Sequence, residues 1–389
     1  MVGHAFMGAA HSHAWRTVNH VFDLPLRARM VAVAGRDPDR VAAAAGKLGW
    51  ESHTVGWRAL LERDDIDAVD ICAPGDTHAE IAVAALAAGK HVLCEKPLAN
   101  TVAEATMMVA AAEAARAAGV RSMCGFNYRR LPAVALMRQL VAGGRIGEIR
   151  HVRAVYLQDW LTDPRFPMVW RLRREVAGSG ALGDIGAHIV DLTQHVTGQR
   201  ITGVSALTHT FVKRRPLRAG DGAGYGEVTV DDTAMFLARL DGGALATYEA
   251  TRFATGRKNA LRVELNGALG SLAFDLERLN ELEYYGGTEP AESGFRRILV
   301  TEPDHPYLSA WWPPGHALGY EHSFTHQARD FLAAIAEGTD PSPSFAEAYQ
   351  VQEVLDAVAR SAEQDSVWTP VRHAPAGTRS PADRPHSVG

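Results

Sequence analysis

Three groups of residues in this 389-residue chain have the types and spacing to do chemistry. The first is Glu95-Lys96-Pro97, which follows the apolar run 92–94. An acid, a lysine and a proline at that point place a cation at a strand's carboxyl end, the edge where ligands bind in an open parallel sheet. A lysine there can donate to a reacting oxygen or orient a proton path, the more so if its pKa is perturbed. Taken alone, a strand-end lysine is an ordinary solvated charge.

The second group is the glycine-rich run 178–183 leading into Asp184, His188 and Asp191. Residues four apart share a helix face, so Asp184 and His188 converge, with Asp191 a turn beyond. A carboxylate and an imidazole beneath a glycine-rich turn make an acid/base pair, because histidine titrates near neutrality. A capping aspartate with a histidine satisfied in the core is an equal alternative on these residues alone. The third group is polar and aromatic: Asn127, Tyr128, Arg129, Tyr156, Gln158, Asp159, Trp160, Trp170, Arg171 and Tyr320. Amides and acids suit hydroxyls, and ring faces suit the C–H faces of a polyhydroxylated ligand. His11, His13, His316, His322 and His326 lack the acid partners of a zinc motif, so no metal is expected.

The elements that must position these groups alternate at first. Gly3 and Gly8 have the spacing of the outer glycines of G-x-G-x-x-G, with Ala5 in the middle place, ahead of a helix to about residue 21. Such a loop aims backbone N–H groups at a pyrophosphate, but it needs a strand before it. Only Met1 and Val2 precede it, short of the usual strand of about five or six residues. The expectation is therefore a truncated first strand, its neighbours unpaired, and a natural start upstream of Met1.

Strands over 29–34, 68–72, 90–95 and 121–125 alternate with helices over 38–48, 77–88 and 102–118, the pattern of a doubly wound parallel sheet. From residue 126 the pattern changes: a helix over 132–142, a strand over 149–158, a helix over 184–197, then strands over 202–212, 229–240, 244–253, 260–266 and 271–275. Asp241-Gly242 is a hairpin signal, and 213–227 reads as a long loop. Helices over 320–336 and 345–364 close the chain, and a disordered tail is expected over 373–389. The fold class is thus α/β: an N-terminal doubly wound parallel sheet over 1–125 and a C-terminal α/β domain over 126–372. The second domain's sheet is large, mainly antiparallel and open on one face, and an open apolar face usually pairs with a copy of itself.

A net charge of -5 argues against nucleic-acid or anionic-membrane partners. No apolar run reaches the roughly 20 residues of a membrane span. Cys72, Cys94 and Cys124 are odd in number and widely spaced in apolar runs, which suggests a reducing, cytoplasmic setting.

In the opening glycine loop, Glu95-Lys96-Pro97, the run 125–129 with Pro132, Trp170-Arg171, and Gly183-Asp184 through His188 to Asp191, the chain resembles the Gfo/Idh/MocA family of NAD(P)-dependent oxidoreductases. Within that family the runs 156–160, 179–184 and 250–252 and the Tyr320 region are similar to the levoglucosan dehydrogenase-like sugar dehydrogenases.

The resemblance implies a Rossmann domain, a homodimer or homotetramer built through the second sheet, and a sugar, anhydrosugar or cyclitol as substrate. It implies catalytic roles for Lys96, His188 and Asp184, with Lys96, Asn127, Tyr156, Gln158, Trp160, Asp184, His188 and Tyr320 at the substrate. At the cofactor it implies Gly3, Ala5, Phe6, Met7 and Gly8, then Gly35, Arg36 and Asp37, then Ala73, Pro74, His78, Glu95 and Lys96, and finally Asn127, Trp170 and Arg171. NAD and NADP both stay open: Asp37 suits a ribose hydroxyl, and Arg36 suits a 2'-phosphate. Two other activities share the pattern, a glycosidase or deglycosylase that oxidises its sugar transiently with held NAD, and a non-catalytic sugar or cofactor sensor.

Overall fold

The computed structural model describes residues 1–220, 224–287 and 290–372; the expected tail lies outside these residues. In the first half β1 (Ala32–Gly35), β2 (Ser52–Val55), β3 (Ala68–Ile71), β4 (His91–Cys94) and β5 (Ser122–Cys124) alternate with α1 (Phe6–Val21), α2 (Pro38–Leu48), α3 (Arg58–Leu61), α4 (His78–Ala87) and α5 (Val102–Arg116). β1 and β2 pair in parallel, as do β3, β4 and β5.

Val2 joins the two sets, bridging Ala34 and Ile71 in parallel. Its N–H donates to Asp70 O and its carbonyl accepts from the Cys72 N–H, both at 2.8 Å. The neighbours' backbone groups, expected to be unpaired at this point, are therefore met by Met1 and Val2. The order becomes β2, β1, Val2, β3, β4, β5, with the chain reversal at the centre of the sheet.

Local chemistry sets the helix ends. Asp37 accepts the Arg40 N–H at the start of α2, Pro38 takes its first turn, and Gly49 ends it in the left-handed region. Thr101 and Glu104 form a reciprocal capping box on α5, worth about 1 kcal/mol.

The second half contains α6 (Pro132–Ala142), β6 (Ile149–Leu157), α7 (Arg174–Ala177), α8 (Ala187–Thr197), β7 (Ile201–His209), β8 (Arg214–Pro216), β9 (Tyr225–Glu227), β10 (Thr233–Leu240), β11 (Leu245–Thr251), β12 (Ala260–Gly267), β13 (Gly270–Asp275), β14 (Glu281–Gly286), β15 (Arg296–Leu299), α9 (His322–Glu337), α10 (Phe345–Glu363) and β16 (Thr369–Pro370). Among the described residues nine strands form one sheet, ordered β15-β14-β13-β12-β6-β11-β10-β7-β16. Only the central β11–β6 pair is parallel.

Burial alternates along β10, with Ala234, Phe236, Ala238 and Leu240 buried toward the helices. Met235, Leu237, Leu207 and Leu245 are exposed on the other face. α9 returns to the first half, where Phe324 and Phe331 pack with Trp15 and Val18 of α1. The two halves thus share a core and enclose a cleft.

Three expectations change. The expected loop over 213–227 includes the short antiparallel pair β8–β9. β2 (Ser52–Val55) and β15 (Arg296–Leu299) form at sheet edges from short runs with no buried residue, and β14 forms between β13 and β15 with only Leu282 and Tyr284 buried. The helix expected over 184–197 begins with a π-turn, Leu182–Gly186, before α8.

Candidate active site

The glycine loop is shaped by close approach. Gly3 has φ +94°, and a Cβ there would lie 2.6 Å from the Cys72 carbonyl oxygen, so no side chain fits. Gly8 is buried in the first turn of α1, and Gly35 packs on His4 at the end of β1. Ala5 occupies the N-cap of α1, no side chain caps that helix, and no acid lies in its first turn. Its first N–H groups are consequently available to an anion.

Ala5, Phe6 and Met7 form one wall of a cleft of about 500 Å³. Ala73 and Pro74 continue that wall from the end of β3, and Glu95 and Lys96 follow from the end of β4. An uncapped helix end beside strand ends at the point of chain reversal fits a dinucleotide's pyrophosphate and nicotinamide. Arg36 and Asp37 lie outside this cleft, beyond β1, where Asp37 caps α2 and pairs with Arg40. His78 lines the cleft, but both ring nitrogens are taken by the carbonyls of Ala73 and Pro97, so it braces the loop rather than offering a free group.

The opposite wall belongs to the second half. Lys96 Nζ donates to the Asp184 carbonyl oxygen at 2.6 Å and lies 3.5 Å from its Oδ1. The Lys96–Pro97 peptide is cis. Asp184 Oδ2 is 3.5 Å from Nη1 of Arg252, a fully buried guanidinium whose Nε and Nη1 have no hydrogen-bond partner among the described residues. Burial pushes the Asp184 carboxyl up, but Lys96, Arg252 and Arg171 together hold it below the usual carboxylate range.

His188 sits at the start of α8, one turn beyond Asp184, with its ring 4.5 Å from that of Tyr128 and near Phe126 and Tyr156. Burial, followed by the charge of Lys96, drives its pKa well below the ordinary value, so the imidazole is neutral. Asp231 holds this segment: its two carboxylate oxygens accept the N–H groups of Gly180 at 2.7 Å and Leu182 at 2.8 Å. A Cβ at Gly180 would overlap the Asp231 carbonyl oxygen, which leaves glycine as the residue that fits.

Along the floor runs a chain of hydrogen bonds. Tyr128 and Tyr156 share one between hydroxyls at 2.8 Å, and Tyr156 and Gln158 both donate to Asn259 Oδ1 at 2.8 Å. Trp160 Nε1 donates to Gln158 Oε1 at 3.0 Å. Asn127 donates to Ser323 at 2.8 Å, and Tyr320 lines the cleft beside it. Trp170 and Arg171 stack at 4.3 Å at the rim.

Lys96, Asp184, His188, Asn127, Tyr156, Gln158, Trp160 and Tyr320 thus face one cavity. Other members of the polar set do not. Arg129 is consumed by Asp191 and Glu347 in a buried ion network, and Asp159 pairs with Lys258 at the surface. Sequence reasoning assigned no role at the site to Arg252, Asn100, Ser179 or Asn259. Asn100 and Ser179 line the cleft, and the Asn100 Oδ1 is buried with no hydrogen-bond partner among the described residues. The glycine run around Ser179 was the available signal; Asn100 and Asn259 had none.

A dinucleotide-binding domain whose strand-end lysine meets an Asp/His pair from a second domain defines an NAD-binding oxidoreductase. Residues 1–124 match the oxidoreductase family with NAD-binding Rossmann fold, and residues 134–273 match the GFO/IDH/MocA C-terminal domain. The chain belongs to the GFO/IDH/MocA oxidoreductase family.

It is 41% identical to levoglucosan dehydrogenase of Pseudarthrobacter phenanthrenivorans, over 95% of this chain and 97% of that protein. A crystal structure of an oxidoreductase domain protein from Kribbella flavida superposes with a TM-score of 0.93 at 62% identity, covering 96% of this chain and 98% of that one. A levoglucosan dehydrogenase complex with NADH and levoglucosan gives 0.91 at 41% identity, covering 95% and 98%. The matching family model describes an NAD-binding Rossmann fold, and the levoglucosan dehydrogenase complex holds NADH. No helix among the described residues is long and apolar enough to cross a membrane.

Proposed function

We propose that this enzyme oxidises a secondary hydroxyl of a pyranose, with levoglucosan or a related glucoside oxidised at C3 as the leading substrate, or reduces the corresponding ketone. Cyclitols are the next class. The observation that carries this reading is the convergence of Lys96, Asp184 and His188 opposite the uncapped end of α1. The 41% identical relative supports the sugar class.

Bound NAD supplies the hydride acceptor, held at the end of α1 and along the ends of β3 and β4. Neutral His188 accepts the hydroxyl proton as the alcohol becomes a carbonyl. The Lys96 ammonium stabilises the oxygen's developing negative charge, an electrostatic task that gains strength in a cleft poor in water. Asp184, kept ionised, accepts a neighbouring hydroxyl and fixes the ring's orientation. Gln158 and Asn127 offer further polar contacts, and Trp160 offers a face to the sugar's C–H groups.

Two architectural readings accompany this one. The exposed apolar stripe of Leu207, Met235, Leu237 and Leu245 supports a homodimer or homotetramer formed through the sheet. Three free thiols support a cytoplasmic location. Light scattering on a Leu237→Glu variant tests the first, which fails if the wild-type protein is a monomer.

A panel of levoglucosan, glucosides and inositols with NAD and NADP, followed at the reduced-nicotinamide absorbance band, tests the activity. Sugar-dependent NADH formation is expected. Release of an aglycone without net NADH would select the transient-oxidation glycosidase, and binding without turnover would select the sensor.

A further inference from the structure

His11 is a buried titratable group that the proposed reaction leaves unused. It lies on α1 about one and a half turns behind the end that faces the cleft, and it is 2% exposed. Its Nδ1 is 3.0 and 2.9 Å from the two Asp70 oxygens, and its Nε2 is 2.9 Å from Glu95 Oε1. Ionised carboxylates only accept, so both ring nitrogens must carry protons to satisfy this arrangement. Glu95 Oε2 in turn accepts the Lys96 N–H at 3.2 Å. One unbroken chain of contacts thus runs from β3 through α1 to the backbone of the lysine.

The surroundings support a charged ring. Trp15 Nε1 donates to Asp70 Oδ2 at 2.7 Å, and the Cys72 thiol donates to Oδ1 at 3.5 Å. The Met1 amine also lies near Asp70, but burial lowers its pKa to about 6, so it competes little with the ring for that carboxylate. From α9 the Phe324 ring closes the far side, 5.4 Å away. Burial works against the imidazolium, but Asp70 outweighs it and the His11 pKa rises well above the ordinary value. Removing one member would strand a buried charge, which costs more than the pair contributes when intact.

We propose that His11 is a positioning residue: as an imidazolium it bridges Asp70 and Glu95, and so ties the cofactor-facing helix to the strand end that carries Lys96. The proposal rests on the reading of Lys96 as the proton-handling cation, and it extends that reading to the residue that aims it. His11, Asp70 and Cys72 lie close enough to hold a metal ion, with ligand atoms within 4.8 Å of one another. Because both His11 nitrogens already face carboxylate oxygens, the structure favours a proton at each.

The full-length enzyme, labelled with nitrogen-15 at histidine, gives the direct test. Imidazole spectra at about pH 8.5, with His11 assigned by its contact to Phe324, should show a doubly protonated ring where a free histidine is neutral. A neutral tautomer, or a stoichiometric metal ion in protein purified without chelator, overturns the proposal. A His11→Gln variant should lose about tenfold or more in kcat with the sugar KM changed less than about threefold, the signature of a displaced catalytic group. A His11→Gln/Glu95→Gln double variant should recover part of that loss, since it removes both charges together. Full kcat in the single variant, or no recovery in the double, overturns the positioning role. If Lys96→Ala retained full rate, the reaction scheme would fail while the ring's charge would still stand, so the two failures are distinguishable.

Discussion

The amine of Lys96, from the first half of the chain, donates to the main-chain carbonyl of Asp184 in the second half at 2.6 Å, while the Asp184 carboxylate lies 3.5 Å away on the same side. The bond to the backbone fixes where the ammonium sits, and the looser approach to Oδ1 leaves that carboxylate room for a ligand. Lys96→Met, which keeps the stem and deletes the charge, should lower kcat by about 10²–10⁴, the usual contribution of a proton-handling group. NADH affinity, measured by tryptophan quenching, should stay within a few-fold, because α1 is untouched. Near-normal turnover in a variant that still binds NADH would remove Lys96 from the chemistry.

The depressed pKa of His188 gives the pH dependence a definite direction. Burial first and Lys96 second favour the neutral ring, so the acid limb of kcat/KM for oxidation should lie below the free-histidine value of about 6.5. Between that value and the lower folded one the unfolded chain binds the extra proton. His188 therefore makes stability fall as pH drops below about 6.5, and has no such effect above it. In Lys96→Met one cause is gone, so the His188 ring, followed by its imidazole resonances, should titrate at a higher pH than in the wild type. An unchanged titration would show that burial alone sets it.

How much of this was legible in the chain depends on locality. Lys96 stood out because a strand pattern ends at Glu95, and Asp184 with His188 because i, i+4 spacing puts them on one face. The π-turn over Leu182–Gly186 did not stand out: it is held by Asp231, about fifty positions away, and distant acceptors leave no trace in local periodicity. Asn259 and Asn100 were invisible for the same reason, each reaching the cleft through a backbone path from an unrelated element. Met1 and Val2 were too short to read as a strand, because two neighbouring segments, one on each side, supply the ladder that makes them one.

Arg252 is the least satisfied cation in the site. Its Nη2 donates to the Asp231 carbonyl at 3.1 Å, its guanidinium lies 5.6 Å from the Trp160 ring, and Nε and Nη1 find no hydrogen-bond partner among the described residues. A buried cation held so loosely is retained for its field, which helps keep Asp184 ionised. Arg252→Met should raise the sugar KM by about tenfold or more, the scale of a lost charge-assisted contact of about 1.5–3 kcal/mol. Arg252→Lys should recover part of it. Equal losses of affinity for NADH and sugar would point instead to general collapse of the fold.

Selectivity for NAD should be traceable to Asp37. Its carboxylate stands just after β1, where a ribose 2'-hydroxyl is met in this fold, and it also caps α2. Asp37→Ser keeps a side-chain cap while removing the charge. Thermal stability should therefore hold, while the ratio of kcat/KM for NAD over NADP narrows by about tenfold, since a carboxylate repels a 2'-phosphate. A ratio that does not move would assign the discrimination to the space beside Gly35 instead.

Asp231 is a residue whose effect on catalysis should travel only through the backbone. Its side chain does not line the cleft, yet both of its carboxylate oxygens are spent on the N–H groups of Gly180 and Leu182, at the entry to the turn that carries Asp184. Without it two donors of a helix start lose their acceptor, a cost of about 1–3 kcal/mol if they are left unmet. Asp231→Ala should lower the unfolding midpoint and raise the sugar KM together, and Asp231→Asn should repair only part of either, because an amide offers one accepting oxygen where the turn uses two. If Asp231→Ala lost stability but kept its KM, the turn would be held by the packing of Leu182 and Ile185 alone, and Asp184 would owe its place to the core rather than to this clamp.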